Sequence, residues 1–132
     1  MTEQPLGLTK LTSLEIDAAE AAITEALADE GFGILTEIDV AATLKQKIDV
    51  DRSPFKILGA CNPHLAHRAL DHDEAIGLLL PCNVTLAATA EGTRVSIVDP
   101  VNLLGLAGST PEMVELANAA RTQLERALAT IA

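Results

Sequence analysis

The chain is 132 residues long with a net charge of −10, and its hydrophobic fraction of 48% includes only two aromatic residues, Phe32 and Phe55. That length makes one domain, large enough to bury a core of Leu, Ile, Val and Ala without staples. The acidity and the lack of stacking rings argue against nucleic acid, which needs clustered Lys and Arg or several aromatic platforms. The longest apolar run, Ile76 to Leu80, is far short of the roughly 20 residues that span a bilayer. The opening MTEQPLGLTK has an early acid and a Pro, unlike a secretory leader. These features predict a cytoplasmic protein with no membrane partner, whose two cysteines are kept reduced.

Leu6 to Leu14 alternates loosely and is predicted to be a first strand. Asp17, with Glu20 three residues on, has the form of a capping box. Ile23, Ala26, Leu27 and Glu30 follow at helical spacing, and Gly31 supplies the stop. From Phe32 the period changes to two, with Phe32, Ile34, Thr36 and Ile38 on one face and Gly33, Leu35 and Glu37 on the other. Asp39 is placed to cap a short helix from Val40 to Lys47. A charged loop, Asp49 to Pro54, leads to a strand from Phe55 to Cys61.

Asn62-Pro63 marks a helix start, with a capping Asn followed by Pro where the missing N–H costs nothing. Leu65, Ala66, Ala69 and Leu70 give that helix an apolar side, and Asp71 to Glu74 reads as an acidic turn. Gly77 to Ala88 reads as the longest strand, apolar on both faces at its start, with Pro81 marking a bulge or a free edge. Glu91-Gly92 is a hairpin signal. Thr93 to Asp99 then alternates, with Val95 and Ile97 set apart from Arg94, Ser96 and Val98, and Pro100 ends it. Val101 to Gly108 (VNLLGLAG) reads as a Leu-rich loop. Thr110-Pro111-Glu112 opens a last helix, whose apolar face runs through Met113, Ala117, Ala120, Leu124, Ala127 or Leu128, and Ile131.

This order predicts an α+β fold: a two-layer sandwich, β-α-β4-α, with a mostly antiparallel curved sheet and helices on one face. The apolar Leu78 to Leu80 and VNLLGLAG predict that a second subunit covers part of the surface, making a homodimer. GFGILTEIDVAATLKQKI (Gly31 to Ile48), ILGACNP (Ile57 to Pro63) and IGLLLPCNV (Ile76 to Val84) resemble the domain of unknown function 302 family, over about Leu14 to Pro100. The resemblance implies a fold like one repeat of the TATA-box-binding protein, and dimer formation. It fits a single domain over 1–132, with a core at 14–100 and a closing helix at 110–131. The family has no settled activity, so the resemblance leaves function open.

Both cysteines and all three histidines lie between Ile57 and Leu86. If the strands holding Cys61 and Cys82 pair antiparallel, their sulfurs can approach, and Cys61 precedes a helix start, where the dipole favours negative charge. The bland reading is two buried cysteines acting as small hydrophobes. Cys61, His64 and His67 form C-x2-H-x2-H, and with Cys82 they make a Cys2His2 set suited to zinc. The alternative is that His64, His67, Arg68 and His72 form the solvated face of a surface helix. Glu37 and Asp39 share a strand face and are candidate paired carboxylates, although Asp39 also suits a helix cap. Lys45, Lys47, Arg52 and Lys56 are a docking place for an anionic metabolite, or else a charge-balanced face. No Ser-His-Asp order, phosphate loop or dinucleotide fingerprint occurs.

Three functions follow. The first is a homodimeric small-ligand or metal-binding module with a site at Cys61, Asn62 and Cys82, with Glu37 and Asp39 as further candidates. The second is a thiol-dependent redox or sulfur-transfer protein using Cys61, with Cys82 as its resolving partner. The third is a dimeric interaction protein without chemistry.

Overall fold

The computed structural model describes the backbone of residues 1–132 and all side chains except those of Glu3 and Gln4. Six strands form one antiparallel sheet: β1 (Thr2–Gln4), β2 (Gly7–Thr12), β3 (Gly33–Asp39), β4 (Phe55–Cys61), β5 (Cys82–Thr89) and β6 (Gly92–Val98). Their spatial order is β1-β2-β6-β5-β4-β3. Helices α1 (Ile16–Asp29), α2 (Val40–Ile48), α3 (Pro63–His72), α4 (Pro100–Leu104) and α5 (Pro111–Thr130) complete the chain. The β-α-β4-α order and the α+β class are therefore as expected, with short helices inserted and one extra strand, β1, that the sequence reading missed.

The core forms where α1 and α5 lie against one sheet face. From the sheet come Leu8, Leu58, Val84, Leu86, Val95 and Ile97; from the helices come Ile23, Leu27, Leu124 and Leu128. All are essentially out of water, and each contributes about 1.5–3 kcal/mol of burial. The other sheet face carries alternating residues such as Thr9, Ser96 and Thr85, which sit side by side in register. A second, smaller cluster of Ala69, Ile76, Leu104, Met113, Leu116 and Ala117 joins α3, α4 and the start of α5.

Four expectations change. Helix α1 begins two residues earlier than the Asp17 capping box implied: Glu15 is its N-cap, without a side-chain hydrogen bond. Glu20 does not reach back to the cap because its carboxylate binds Lys56 Nζ at 2.8 Å. In β3 the register slips between Ile34 and Thr36, so Leu35 is a bulge residue and the faces exchange there. Phe32 and Ile34 then pack against the core, while Ile38 is exposed.

Gly77 to Ala88 is not one strand. Glu74–Leu79 is a 3-10 helix started by Asp73, whose carboxylate accepts from Ala75 N at 2.9 Å. Its apolar residues follow a period near three, with Ile76, Leu79 and Leu80 packing on the second cluster, so a short apolar run misled the period-two reading. Pro81 consequently precedes β5 rather than interrupting it. VNLLGLAG is likewise helical: Asp99 caps α4 through Val101 N at 2.9 Å, Pro100 takes the first turn, and Gly105–Ala107 continues as 3-10. That start has the same form as Asn62-Pro63.

Candidate functional site

Strand β4 runs without interruption from Phe55 to Cys61, and its end delivers the chain into α3. Asn62 makes the corner. Its Oδ1 accepts from His64 N at 3.1 Å and Leu65 N at 3.3 Å, while its Nδ2 donates to Gln123 Oε1 on α5 at 3.1 Å. One buried amide thus ends a strand, starts a helix and ties both to α5. Gln123 had no signal in the sequence beyond lying on the polar side of a helix.

At this corner lies a cavity of about 40 Å³. Cys61, Asn62 and Cys82 line it together with Leu65, Pro81 and Leu116. Pro100 and Leu104 of α4 close another side, a wall that the loop reading of VNLLGLAG could not foresee. No carboxylate, Lys, Arg or His lines it.

Strands β4 and β5 pair antiparallel as the thiol reading required, but the register sets Ala60, not Cys61, opposite Cys82. Cys61 pairs with Gly33 on the other side. A disulfide needs Cβ atoms about 3.8 Å apart on one side of the ladder, and consecutive strand residues leave on opposite faces. The pair is thus two free thiols, Cys61 half-buried and Cys82 buried. Neither has a hydrogen-bond partner among the described residues. Burial pushes the Cys82 thiol up to about 11, and the nearby Cys61 adds to the shift. Such a thiol is neutral near pH 7, which opposes a resolving role for Cys82 in disulfide exchange.

The Cys2His2 set is not brought together. His64 and His67 are on the exposed side of α3, and His67 Nε2 stands 3.6 Å from Asp71 Oδ2 in solvent. His72 lies at the far end of α3, 3.8 Å from Glu112. Among the described residues no three His, Cys, Asp or Glu side chains are gathered for a metal ion. The cause is geometric: α3 must turn its Leu65 and Ala69 side inward, which turns the histidines out.

Glu37 and Asp39 do share the helix-side face of β3, opposite Leu58 and Lys56. Counted along β4, they lie roughly 10 and 17 Å from Cys61 at 3.3–3.4 Å per residue, outside the cavity. Glu37 binds Lys56 Nζ at 3.0 Å, and Asp39 caps α2 through Ala42 N at 2.9 Å, so they do not act as a pair. Three of the four basic residues, Lys45, Arg52 and Lys56, are also engaged. Lys56 meets Glu20 and Glu37, which hold its ammonium well above the usual lysine range. Lys45 meets Asp49 at 2.8 Å and Asp51 at 3.2 Å, and Arg52 lies over the Phe55 ring. This is a charge-balanced face rather than an anion dock. Among the described residues no helix is long and apolar enough to cross a membrane.

A sequence profile described as domain of unknown function DUF302 matches residues 8–131, reaching past Pro100 through the closing helix. No curated protein matches the chain. A crystal structure of an uncharacterized conserved DUF302 protein from Bacillus stearothermophilus is similar to it over 96% of this chain and 98% of that one, at 27% identity and a TM-score of 0.88.

Proposed function

We propose, for a chain that belongs to the domain of unknown function DUF302 family, that it is a small-ligand-binding module whose site is the cavity where β4 turns into α3. The observation that carries this reading is the convergence of Cys61, Asn62 and Cys82 on one otherwise apolar cavity of about 40 Å³. Two unpartnered thiols there are polarisable groups without an internal task, whereas Lys56, Glu20 and Glu37 near β4 satisfy one another. The volume is well below the roughly 300–1,000 Å³ of sites for drug-sized molecules, so the occupant is small.

Native mass spectrometry of freshly purified protein tests this, with thiols counted before and after unfolding. A small bound mass that protects at least one thiol is expected, and Ala66→Leu, which fills the cavity wall, should abolish it. A bare chain whose thiols react only after unfolding would overturn the reading and leave both cysteines structural.

The exposure of Leu78 and Leu106, 88% and 78%, supports a second reading, self-association into a homodimer. Both project from the 3-10 segments of the second cluster, so a second copy has a place to bury them. Sedimentation at micromolar concentration should give a dimer mass that Leu78→Glu reduces; a monomer mass in the unaltered chain overturns it.

A further inference from the structure

We propose that the open face of the sheet carries a second binding site, for a small hydroxy acid whose carboxylate pairs with Arg94 and whose hydroxyls bond to Thr85, Ser96 and Asn83. The site is separate from the cavity at Asn62 and does not rest on it.

Charge decides the place. Leu8, Leu58, Val84 and Val95 mark the helix-side positions of β2, β4, β5 and β6, and alternate residues point the other way. The chain has 19 Asp and Glu and a net charge of −10. None of those acids stands at an open-face position of these four strands, and Arg94 is the one charged residue that does. It is exposed, and among the described residues it has no ion pair or hydrogen bond. An acidic surface repels anions, so this face is where an anion meets least repulsion.

Shape decides the size. A trough of about 370 Å³ lies on the same face, walled by Thr9, Asn83, Thr85, Ser96 and Val98. That volume falls within the roughly 300–1,000 Å³ of small-molecule sites. The trough follows β6, with Ser96 set between Thr9 of β2 and Thr85 of β5. Gly7 faces Val98 at the far end, where the missing side chain permits close approach. Arg94 is two residues from Ser96 along β6, roughly 7 Å, a step that an arginine side chain spans.

The polar groups decide the chemistry. No charged side chain walls the trough. The Thr85 hydroxyl has no partner among the described residues. Thr9 and Ser96 share one hydrogen bond at 2.9 Å, which leaves each oxygen with capacity for more. Asn83 is exposed and adds an amide that both donates and accepts. Such a wall suits ligand hydroxyls. One guanidinium matches one carboxylate through two parallel N–H···O bonds. Arg52 lies over the Phe55 ring, and Phe55 is two strands from Arg94, roughly 9–10 Å at the usual strand spacing. The trough thus meets one positive charge, which favours a monocarboxylate over a phosphate dianion.

The test is an NMR titration of the full chain, reading backbone amides and the arginine Nε–H signals. Gluconate and lactate are the probes, with lactamide and inorganic phosphate as controls. The two acids at millimolar concentration are expected to shift amides of β2, β5 and β6 around Ser96 together with the Arg94 signal, and lactamide is not. Added salt should weaken binding, because the pair is exposed. Arg94→Gln, with its fold checked by circular dichroism, should weaken binding about tenfold or more, and Thr85→Val about threefold or more. Equal affinity for lactamide, or undiminished affinity in Arg94→Gln, would overturn the carboxylate contact. Phosphate bound as tightly as the acids would overturn the ligand class and leave an unselective anion patch. Shifts confined to α3 and α4 would overturn this site in favour of the cavity at Asn62. No shift with either acid would overturn the proposal and leave the cavity reading untouched.

Discussion

Replacing Gly59 by Ala tests how rigidly the sheet supports the cavity. Gly59 lies in mid-β4, between Thr36 and Asn83 in the ladder. A β-carbon added there would stand 2.3 Å from Thr36 Oγ1 and 2.7 Å from Pro81 Cγ, well inside the roughly 3.5–4.0 Å of favourable carbon contacts. The two neighbours do not yield equally. Thr36 is exposed, and its hydroxyl can move to another staggered well at a cost on the order of 1 kcal/mol or less. Pro81 is a rigid ring held between Leu80 and Cys82, both of which line the cavity. Most of the strain therefore passes into the cavity wall. Overpacking costs about 1–3 kcal/mol, and a clash with a ring belongs at the upper end. The intrinsic advantage of Ala over Gly in a strand offsets roughly 0.5–1 kcal/mol of that. The expected net loss is about 2 kcal/mol. Urea unfolding followed by circular dichroism should show a lower midpoint at unchanged slope. In a double-mutant cycle, Thr36→Ala should recover less than half of the loss. A neutral Gly59→Ala, or full rescue by Thr36→Ala, would refute the reasoning.

Lys10→Met should cost about 1 kcal/mol and speed hydrogen exchange in the last turn of α5. Lys10 Nζ donates to the carbonyls of Leu128 and Ala129 at 3.3 Å each and to that of Ile131, which otherwise lack helical partners; unchanged exchange there would count against it. Asp99→Ala should cost about 2–3 kcal/mol in thermal or urea unfolding. It removes both the α4 cap and a 2.9 Å pair with Arg121 at a site only 4% exposed; Arg121 keeps Glu125 at 2.7 Å, which holds the loss below that of a fully orphaned buried charge. Burial raises the Cys82 thiol from 9.0 to about 11, so the folded chain rejects the thiolate. Stability from this group should be intact below pH 9 and fall as pH rises through 11, by about 2–3 kcal/mol at most. Cys82→Val should remove that component of the alkaline loss in paired urea titrations; an identical slope in both proteins would refute it.

Wherever a local signal and the tertiary demand agreed, the sequence was legible. Asp39, Asn62 and Thr110 each cap the helix they were expected to cap, because a cap is decided within four residues. The apolar face of α5 and the inward pair Val95 and Ile97 are buried as their periods predicted. Register was not legible. The bulge at Leu35 and the step that sets Ala60 against Cys82 depend on strands far apart in the chain, and no local pattern records a one-residue slip. The candidate site followed the same division. Cys61, Asn62 and Cys82 come together because cap and strand end were readable, whereas the histidine set failed because α3's rotation is fixed by what Leu65 and Ala69 must bury.

The sheet order also bears on synthesis. β2 has its main partner in β6, with Gly7 against Val98 and Thr12 against Thr93, and Lys10 donates to carbonyls at residues 128 to 131. On a ribosome, β2 is made well before the partner that covers its second edge. The hairpin from β5 to β6 and its neighbours β4 and β3 are contiguous and can pair as they emerge, while β2, paired on one side with β1, keeps its other edge open until β6 is out. Such long-range closure slows folding and exposes edges meanwhile. The chain's vulnerability to aggregation is therefore concentrated in the interval between the emergence of β2 and that of β6.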